Sequence, residues 1–254
     1  MGEDARPTRR EERRAQTIRE IKDLAMQQVS EGGPDAVSLS GIVRQMSMSP
    51  PALYRYFANR DALLADLVVD AYGELADWLA DLRRRGGAPE DHLEAVLHGT
   101  RAWALSNGNA YRLIFQTGIG SGQALAPDRT IPAASRSMSV LIGALAAVAG
   151  GGGTVSGEPA PSVGAEATEV LRAWAERSGL SAFPVEVLQL ALLTWTRLHG
   201  IISLELGGHL ASTGVGAGVL FDAEVQAIVA RAAHLPALRP TGDAGRGVET
   251  QPPR

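Results

Sequence analysis

The chain has 254 residues, of which 45% are apolar, enough for one large domain or two modest ones around a sizeable core. It contains no cysteine, which excludes a disulfide scaffold, a thiolate zinc site and a cysteine nucleophile, and fits a reducing cytoplasm. The formal net charge is -4, but residues 1–62 carry 10 Lys/Arg against 9 Asp/Glu and the remainder 14 against 19, so a positive potential can be local even though the whole chain is acidic.

Residues 1–14 are polar and charged throughout, so no secretory signal is expected to open the chain. Thr8 and Glu11 form a capping-box pattern that starts a first helix. Ile18, Ile21, Ala25 and Val29 recur on one face of it, and Glu31-Gly32-Gly33-Pro34 ends it, because Gly favours a helix C-terminus and Pro cannot continue one. A short second helix follows Ser38, with Leu39, Ile42, Val43 and Met46 apolar. Ser47-Met48-Ser49 is a tight break. Ser49 then caps a third short helix with Pro50 at its first position, running through Leu53 to about Phe57. Asn59 caps a longer fourth helix through Leu64, Leu67, Val68, Ala71, Leu75 and Trp78, which stops at Arg83-Arg84-Arg85-Gly86-Gly87. Further helices are expected over roughly 89–106, 109–116, 132–149, 164–178, 184–206 and 222–234. No sustained alternation or Asn-Gly hairpin signal points to strands. No apolar run of about 18 residues is present, so no membrane span is expected.

Two short helices joined by about three residues make a helix-turn-helix, whose second helix enters the DNA major groove. The compact residues Ser49, Pro50, Pro51 and Ala52 let the start of that helix approach DNA closely. The stretch Ser49-Pro50-Pro51-Ala52-Leu53-Tyr54-Arg55-Tyr56-Phe57-Ala58-Asn59-Arg60-Asp61-Ala62-Leu63-Leu64, with Ser38-Leu39-Ser40-Gly41-Ile42-Val43 before it, resembles the signature of the TetR/AcrR family of transcriptional regulators over roughly residues 10–70. Ser47 stands where the family usually has Gly in the turn. The resemblance implies that Tyr54 and Arg60 contact phosphates, and that Pro50, Pro51, Ala52, Arg55 and Tyr56 face the groove or its walls. Ser38, Ser40, Arg44 and Ser49 would lie against the DNA backbone.

In the second half, Trp195-Thr196-Arg197-Leu198-His199-Gly200 and, more weakly, Trp103-Ala104-Leu105 with Tyr111-Arg112-Leu113-Ile114-Phe115 resemble one branch of the same family. The helix over 184–206 is apolar on two sides, so it must be buried twice: once on its own domain and once on a partner. Val187, Leu190, Thr194, Arg197, Ile201 and Leu204, with Val225, Ile228 and Val229 of the last helix, are the expected seam of a two-fold-symmetric four-helix bundle. Trp103, Tyr111, Phe115, Trp195 and His199 are core residues by default, and are also the candidates to line an effector cavity.

Gly118-Ile119-Gly120-Ser121-Gly122 and Gly150–Gly153 follow no strand and carry no Gly-Lys-Ser/Thr, so neither reads as a nucleotide loop. His92 and His98 are not spaced as a metal pair on a helix. No convergent acid, base and nucleophile are found, and no cofactor or metal is expected. The expected fold is all-α. A flexible arm (1–9) precedes a three-helix helix-turn-helix domain (10–60). A helical effector-binding and dimerisation domain follows (61–235), with a flexible loop at 150–163, and a disordered tail (236–254) ends the chain. The expected function is a cytoplasmic, homodimeric DNA-binding regulator, a repressor released from double-stranded operator DNA by a small, mostly hydrophobic effector. A constitutive DNA-binding protein without a ligand is the alternative, and an enzyme using the helical domain's pocket is the remote one.

Overall fold

Thr8 accepts a hydrogen bond from the Glu11 amide while the Glu11 carboxylate accepts from the Thr8 amide at 2.7 Å, so the first helix begins with a closed capping box. In this computed structural model, which describes residues 8–84, 87–116, 125–151 and 163–235, that helix is α1 (Arg9–Gly32). A 3-10 turn (Pro34–Ala36) leads to α2 (Leu39–Gln45), α3 (Pro50–Tyr54) and the long α4 (Arg60–Arg83). Ser38 and Asn59 cap α2 and α4 through their side chains. Ile21, Ala25, Val29, Ile42, Leu53, Phe57, Leu63, Leu64, Leu67 and Val68 bury together as the core of this N-terminal head.

The second core is larger. It gathers α5 (Pro89–Ser106), α6 (Gly108–Tyr111), a π-helical turn (Arg112–Gln116), α7 (Pro127–Gly151), α8 (Ala165–Ser178), α9 (Val185–Leu206) and α10 (Ala217–Ala233) around the later turns of α4. Its α4 contribution is Leu75, Leu79 and Leu82. At 24 residues, α4 is about 36 Å long and serves both cores. Gly99 lets α5 cross α4 closely, since a Cβ there would meet Leu82 Cδ1 at 2.2 Å. Arg101 clamps α5 to α9 with two bonds to Glu205, at 2.8 and 2.5 Å.

All described secondary structure is helical, as the periodicity implies, but several boundaries differ. α7 begins at Pro127 rather than Pro132. Pro127 takes the favoured first position, and Pro132 sits one turn further in, where it removes a single backbone bond. The segment expected as one helix over 109–116 divides into α6 and the π-helical turn. α10 starts five residues earlier than expected, at Ala217. Gly150 and Gly151 finish α7; the rest of the expected loop up to residue 162, residues 1–7 of the expected arm and the tail from residue 236 lie outside the described residues. Contrary to expectation, α7 and α9 are long and apolar enough, by length and composition, to cross a membrane, with mean hydropathy 1.5 and 1.3. Asp128 and Arg136 interrupt the apolar run of α7, and Arg197 and Glu205 that of α9. Both helices pack against each other and against α5 and α10, which covers part of that apolar surface.

Candidate nucleic-acid interface and ligand cavity

The turn between α2 and α3 depends on Ser47, whose φ of 51° lies in the left-handed region that costs an L-residue about 1–2 kcal/mol. This is where the sequence carries Ser in place of Gly. Beyond the turn, Ser49 occupies the cap position of α3 without spending its hydroxyl on the helix. Ser49, Pro50, Pro51, Tyr54 and Arg55 are all exposed, as are Ser40 and Arg44 on α2. Tyr54, with 55% of its surface open, projects from α3. Ala52 is half-buried. Ser38 is engaged locally: its hydroxyl accepts from the Gly41 amide at 3.2 Å and meets Ser40 Oγ at 3.0 Å. Tyr56 is half-buried, with the Arg14 guanidinium 5.1 Å above its ring.

Arg60 does a different job from the one expected of it. Its Nε donates to the Val37 carbonyl at 3.1 Å. Its Nη2 donates to the Pro34 carbonyl at 2.5 Å and to the Asp35 carboxylate at 3.1 Å. The guanidinium therefore ties the first turn of α4 to the 3-10 turn before α2, rather than reaching outward to a phosphate.

A cavity of about 260 Å³ lies in the C-terminal half. Leu75 and Leu79 of α4, Thr100 of α5, Phe115 of the π-helical turn, Ile131, Ala134, Ser135, Ser137, Met138 and Leu141 of α7, Trp174 of α8, and Leu192, Trp195, Leu198 and His199 of α9 supply its wall, together with Tyr72 and Leu180. His199 sits at one end of an aromatic cluster. Its ring centroid is 3.9 Å from that of Phe115 and 5.5 Å from those of Tyr111 and Trp195. The Tyr111 hydroxyl lies 3.0 Å from His199 Nδ1 and 3.0 Å from Ser203 Oγ. Burial pulls the His199 pKa down to about 4, because the charged ring would lose its hydration. The imidazole is therefore neutral near pH 7, with Nε2 left without a partner among the described residues. Burial likewise pushes Tyr72 up to about 12, and its hydroxyl rests 3.4 Å from the Ile114 carbonyl. No Asp, Glu, Lys or Arg is among the described lining residues.

Comparison with known proteins decides the family. Residues 21–67 match the family described as bacterial regulatory proteins, tetR family, and residues 93–228 match the tetracyclin repressor-like C-terminal domain. The chain is 32% identical over 236 residues to HTH-type transcriptional regulators of Mycobacterium tuberculosis and Mycobacterium bovis, covering 91% of this chain and 98% of each relative. The chain belongs to the TetR family. Among solved structures it is similar to the regulatory protein SCO4313, with 37% identity, a TM-score of 0.72, and coverage of 88% of this chain and 100% of that one. The regulator FadR from Bacillus subtilis, solved in complex with stearoyl-CoA, shares the fold at 13% identity and a TM-score of 0.56, over 84% of this chain and 98% of its own. The TetR family is one of transcription regulators, not of enzymes, and this TetR-family chain is a DNA-binding transcriptional regulator.

The cavity and the seam differ from their sequence expectations in definite ways. Phe115, Trp195 and His199 stand in the cavity wall. Trp103 and Tyr111 do not; both are buried in the core, and Tyr111 touches the site through His199 and Phe115. Tyr72, Ile131, Met138, Trp174 and Leu192 also line the cavity, and sequence reasoning misses them. Of these, Trp174 could have been found from the amphipathic pattern of α8.

For the seam, Val187, Leu190, Thr194, Val225 and Ile228 are buried within the protomer and cannot meet a partner. α9 is indeed covered on two sides, but one faces its own core and the other the cavity. Ile201 and Val229 are half-buried, and Arg197 pairs with Glu224 of α10 at 3.0 Å. The outward side of α9 carries Leu193, Thr196, Arg197, Gly200 and Leu204. That of α10 carries Val219, Leu220, Ala223 and Ala230. Of the expected apolar seam residues, only Leu204 is well exposed, at 45%.

Proposed function

We propose that this regulator is a homodimeric repressor whose cavity takes a small, neutral, mostly hydrophobic effector that releases operator DNA. The observation that carries the reading is the cavity's lining: aromatic and aliphatic walls, a neutral His199, and small hydroxyls at Thr100, Ser135 and Ser137. Such a wall desolvates apolar surface favourably and offers a few hydrogen bonds to fix orientation. A charged ligand would lose its hydration there without a compensating partner. Double-stranded DNA would meet Tyr54, Arg55, Ser49, Pro50, Pro51 and Ala52 on α3, and Ser40 and Arg44 on α2. In that arrangement phosphate contacts position the head and base contacts specify.

Dimerisation is supported by the exposed apolar stripes of α9 and α10. Leu193, Leu204, Val219 and Leu220 are 44%, 45%, 68% and 38% exposed, and a Cβ at Gly200 would meet open space. A partner's helices would cover them and hold two heads at half-sites about one helical turn apart, or a multiple of that. Bound effector would favour a different head spacing and so weaken DNA binding; linkage requires that DNA weaken effector binding equally. The workplace of such a regulator is the cytoplasm.

The test is selection of duplexes from random and genomic DNA with purified protein, repeated with lipophilic ligands. Ligands should quench tryptophan fluorescence, since Trp174 and Trp195 line the cavity, and release the selected DNA over the same concentration range. Ligands that bind without changing DNA affinity would instead make this a constitutive regulator. Replacing Leu204 with Glu should bury an unpaired charge at the seam and yield monomer in light scattering, at a cost of several kcal/mol. An unchanged dimer would remove this face from the interface.

A further inference from the structure

The first two turns of α1 carry the run Arg9-Arg10-Glu11-Glu12-Arg13-Arg14. At about 100° per residue, Arg9, Arg10, Arg13 and Arg14, with Thr17, fall within an arc of about 140°, while Glu11 and Glu12 fall outside it. Glu11 is further committed to the capping box with Thr8. The arginine arc faces α3. Together with Met48, Ala52, Arg55 and Tyr56 it encloses an open cleft of about 580 Å³. Arg14 spans the cleft floor, its guanidinium 5.1 Å from the Tyr56 ring, so the two helices are held across it by a cation–π contact. Among the described residues, Arg9, Arg10, Arg13 and Arg55 form no ion pair with any carboxylate. Elsewhere the arginines that reach across the fold do so: Arg101, Arg129, Arg136 and Arg197 each hold an acidic side chain of another helix.

We propose that this five-arginine cleft between α1 and α3 is a second DNA contact, which grips the phosphodiester backbone beside the groove occupied by α3. The proposal rests on the DNA-binding reading of α3 above and extends it to a helix that the helix-turn-helix motif does not include. Arg55 belongs to both surfaces, so a duplex seated on α3 brings its backbone to the cleft mouth. Unpaired guanidiniums match phosphate oxygens in charge and in their fork of donors. The Tyr56 hydroxyl can add a neutral donor. A contact of this kind releases condensed counterions but reads no base. It also explains how a protein of net charge -4 can hold a polyanion: Glu11 and Glu12 fall outside the arginine arc, and the acidic excess lies after residue 62.

The test uses the full-length protein and the duplex that it selects from a random pool, with a scrambled duplex of equal length for comparison. In the variant Arg9→Gln/Arg10→Gln/Arg13→Gln, the slope of log K against log salt should shrink by about 0.9 for each phosphate that is no longer neutralised. Affinity near physiological salt should fall at least about tenfold. The ratio of selected to scrambled binding should hold, because phosphate binding is independent of sequence. Arg19→Gln removes one charge from the opposite side of α1, where Arg19 bonds Gln16, and should leave the slope unchanged. Circular dichroism and thermal melting should match the parent, since all of these side chains are exposed. A slope unchanged in the triple variant overturns the proposal. So does an equal drop in affinity for Arg19→Gln, which would make the effect one of net charge. A vanished sequence preference overturns it too, because the cleft would then be a base reader. A parent that selects no duplex at all would instead defeat the DNA-binding reading of α3, and the cleft with it.

Discussion

Leu113 and Phe115 stand two residues apart on the π-helical turn, yet Leu113 is buried in the core of the N-terminal head while Phe115 lies in the cavity wall against His199. Residues two apart on a helical turn face nearly opposite ways, so the two side chains reach different cores. A ligand that displaces Phe115 therefore acts on a backbone segment that also holds the head. Leu113→Ala should lower stability by about 2–5 kcal/mol and broaden melting of the head. Phe115→Ala should spare DNA binding in the absence of effector but weaken the effector's power to release DNA. If Phe115→Ala leaves the ligand-induced change in DNA affinity intact, the π turn does not carry the coupling.

A second connection runs through Asp66 on α4. Its carboxylate accepts Lys22 of α1 at 3.3 Å and also pairs with Arg129 of α7, two residues before the cavity residue Ile131. Asp66→Asn removes the shared charge from both. Ligand binding measured by tryptophan fluorescence should persist, while the coupling between ligand and DNA, of the order of 1–3 kcal/mol in such systems, should shrink. Equal coupling in parent and variant would confine Asp66 to a surface role.

Arg60 and Tyr54 separate stability from DNA affinity. Arg60→Ala removes the side-chain donor of the Val37 carbonyl and one of the two donors of the Pro34 carbonyl and should cost about 1–3 kcal/mol of stability, with the salt dependence of DNA binding unchanged. Tyr54→Phe should leave stability within about 0.5 kcal/mol and weaken DNA binding by about 1 kcal/mol. Denaturant melts and DNA titrations on both variants check the division. A shallower salt slope in Arg60→Ala would return Arg60 to the phosphate contacts.

These residues also show what the sequence can and cannot tell. The helix starts at Thr8, Ser38 and Asn59 are legible because capping is local: the side chain that satisfies the first amides lies within three residues of them. The start at Ser49 is legible instead from Pro50 at the first helical position. The helix-turn-helix is legible for the same reason, as two short helices and a turn with short-range signals. The bonds of Arg60 within the chain are not legible in the sequence, because an exposed arginine and one folded back on a carbonyl 26 residues earlier look alike there. The seam is misphased because α9 has three neighbours, its own core, the cavity and open solvent, and hydrophobicity alone does not say which apolar side meets which. Exposed Leu193 and buried Leu190 are the same residue type three positions apart. The arginine arc of α1 is present in the sequence at helical spacing, but its meaning depends on α3 lying opposite.

Thr194 is a case where burial without a partner becomes measurable. It is 1% exposed, and its hydroxyl has no hydrogen-bond partner among the described residues. A buried unsatisfied hydroxyl costs about 1–3 kcal/mol. Thr194→Val keeps the branched shape and removes the unpaired dipole, so it should raise stability by about 1 kcal/mol, read as a higher denaturant midpoint at constant m-value. A lower midpoint would mean that the hydroxyl is in fact satisfied in solution.

His199 makes stability depend on pH in a definite direction. Its pKa is about 4 in the folded chain against 6.5 as the reference value, so between those values the unfolded chain binds the extra proton. Stability therefore rises with pH across that window. The contribution is fully present above about pH 6.5, declines as the pH falls toward 4, and does not change further below that. A shift of this size corresponds to about 3 kcal/mol in total. His199→Gln keeps a hydrogen-bonding partner for Tyr111 but cannot titrate. The difference in unfolding free energy between parent and variant should therefore move by a few kcal/mol in the variant's favour between about pH 7 and pH 4. Parallel curves for the two proteins would mean that the imidazole takes up its proton inside the fold without penalty. The cavity would then be wetter than its lining implies, and it would admit more polar ligands than the hydrophobic class proposed above.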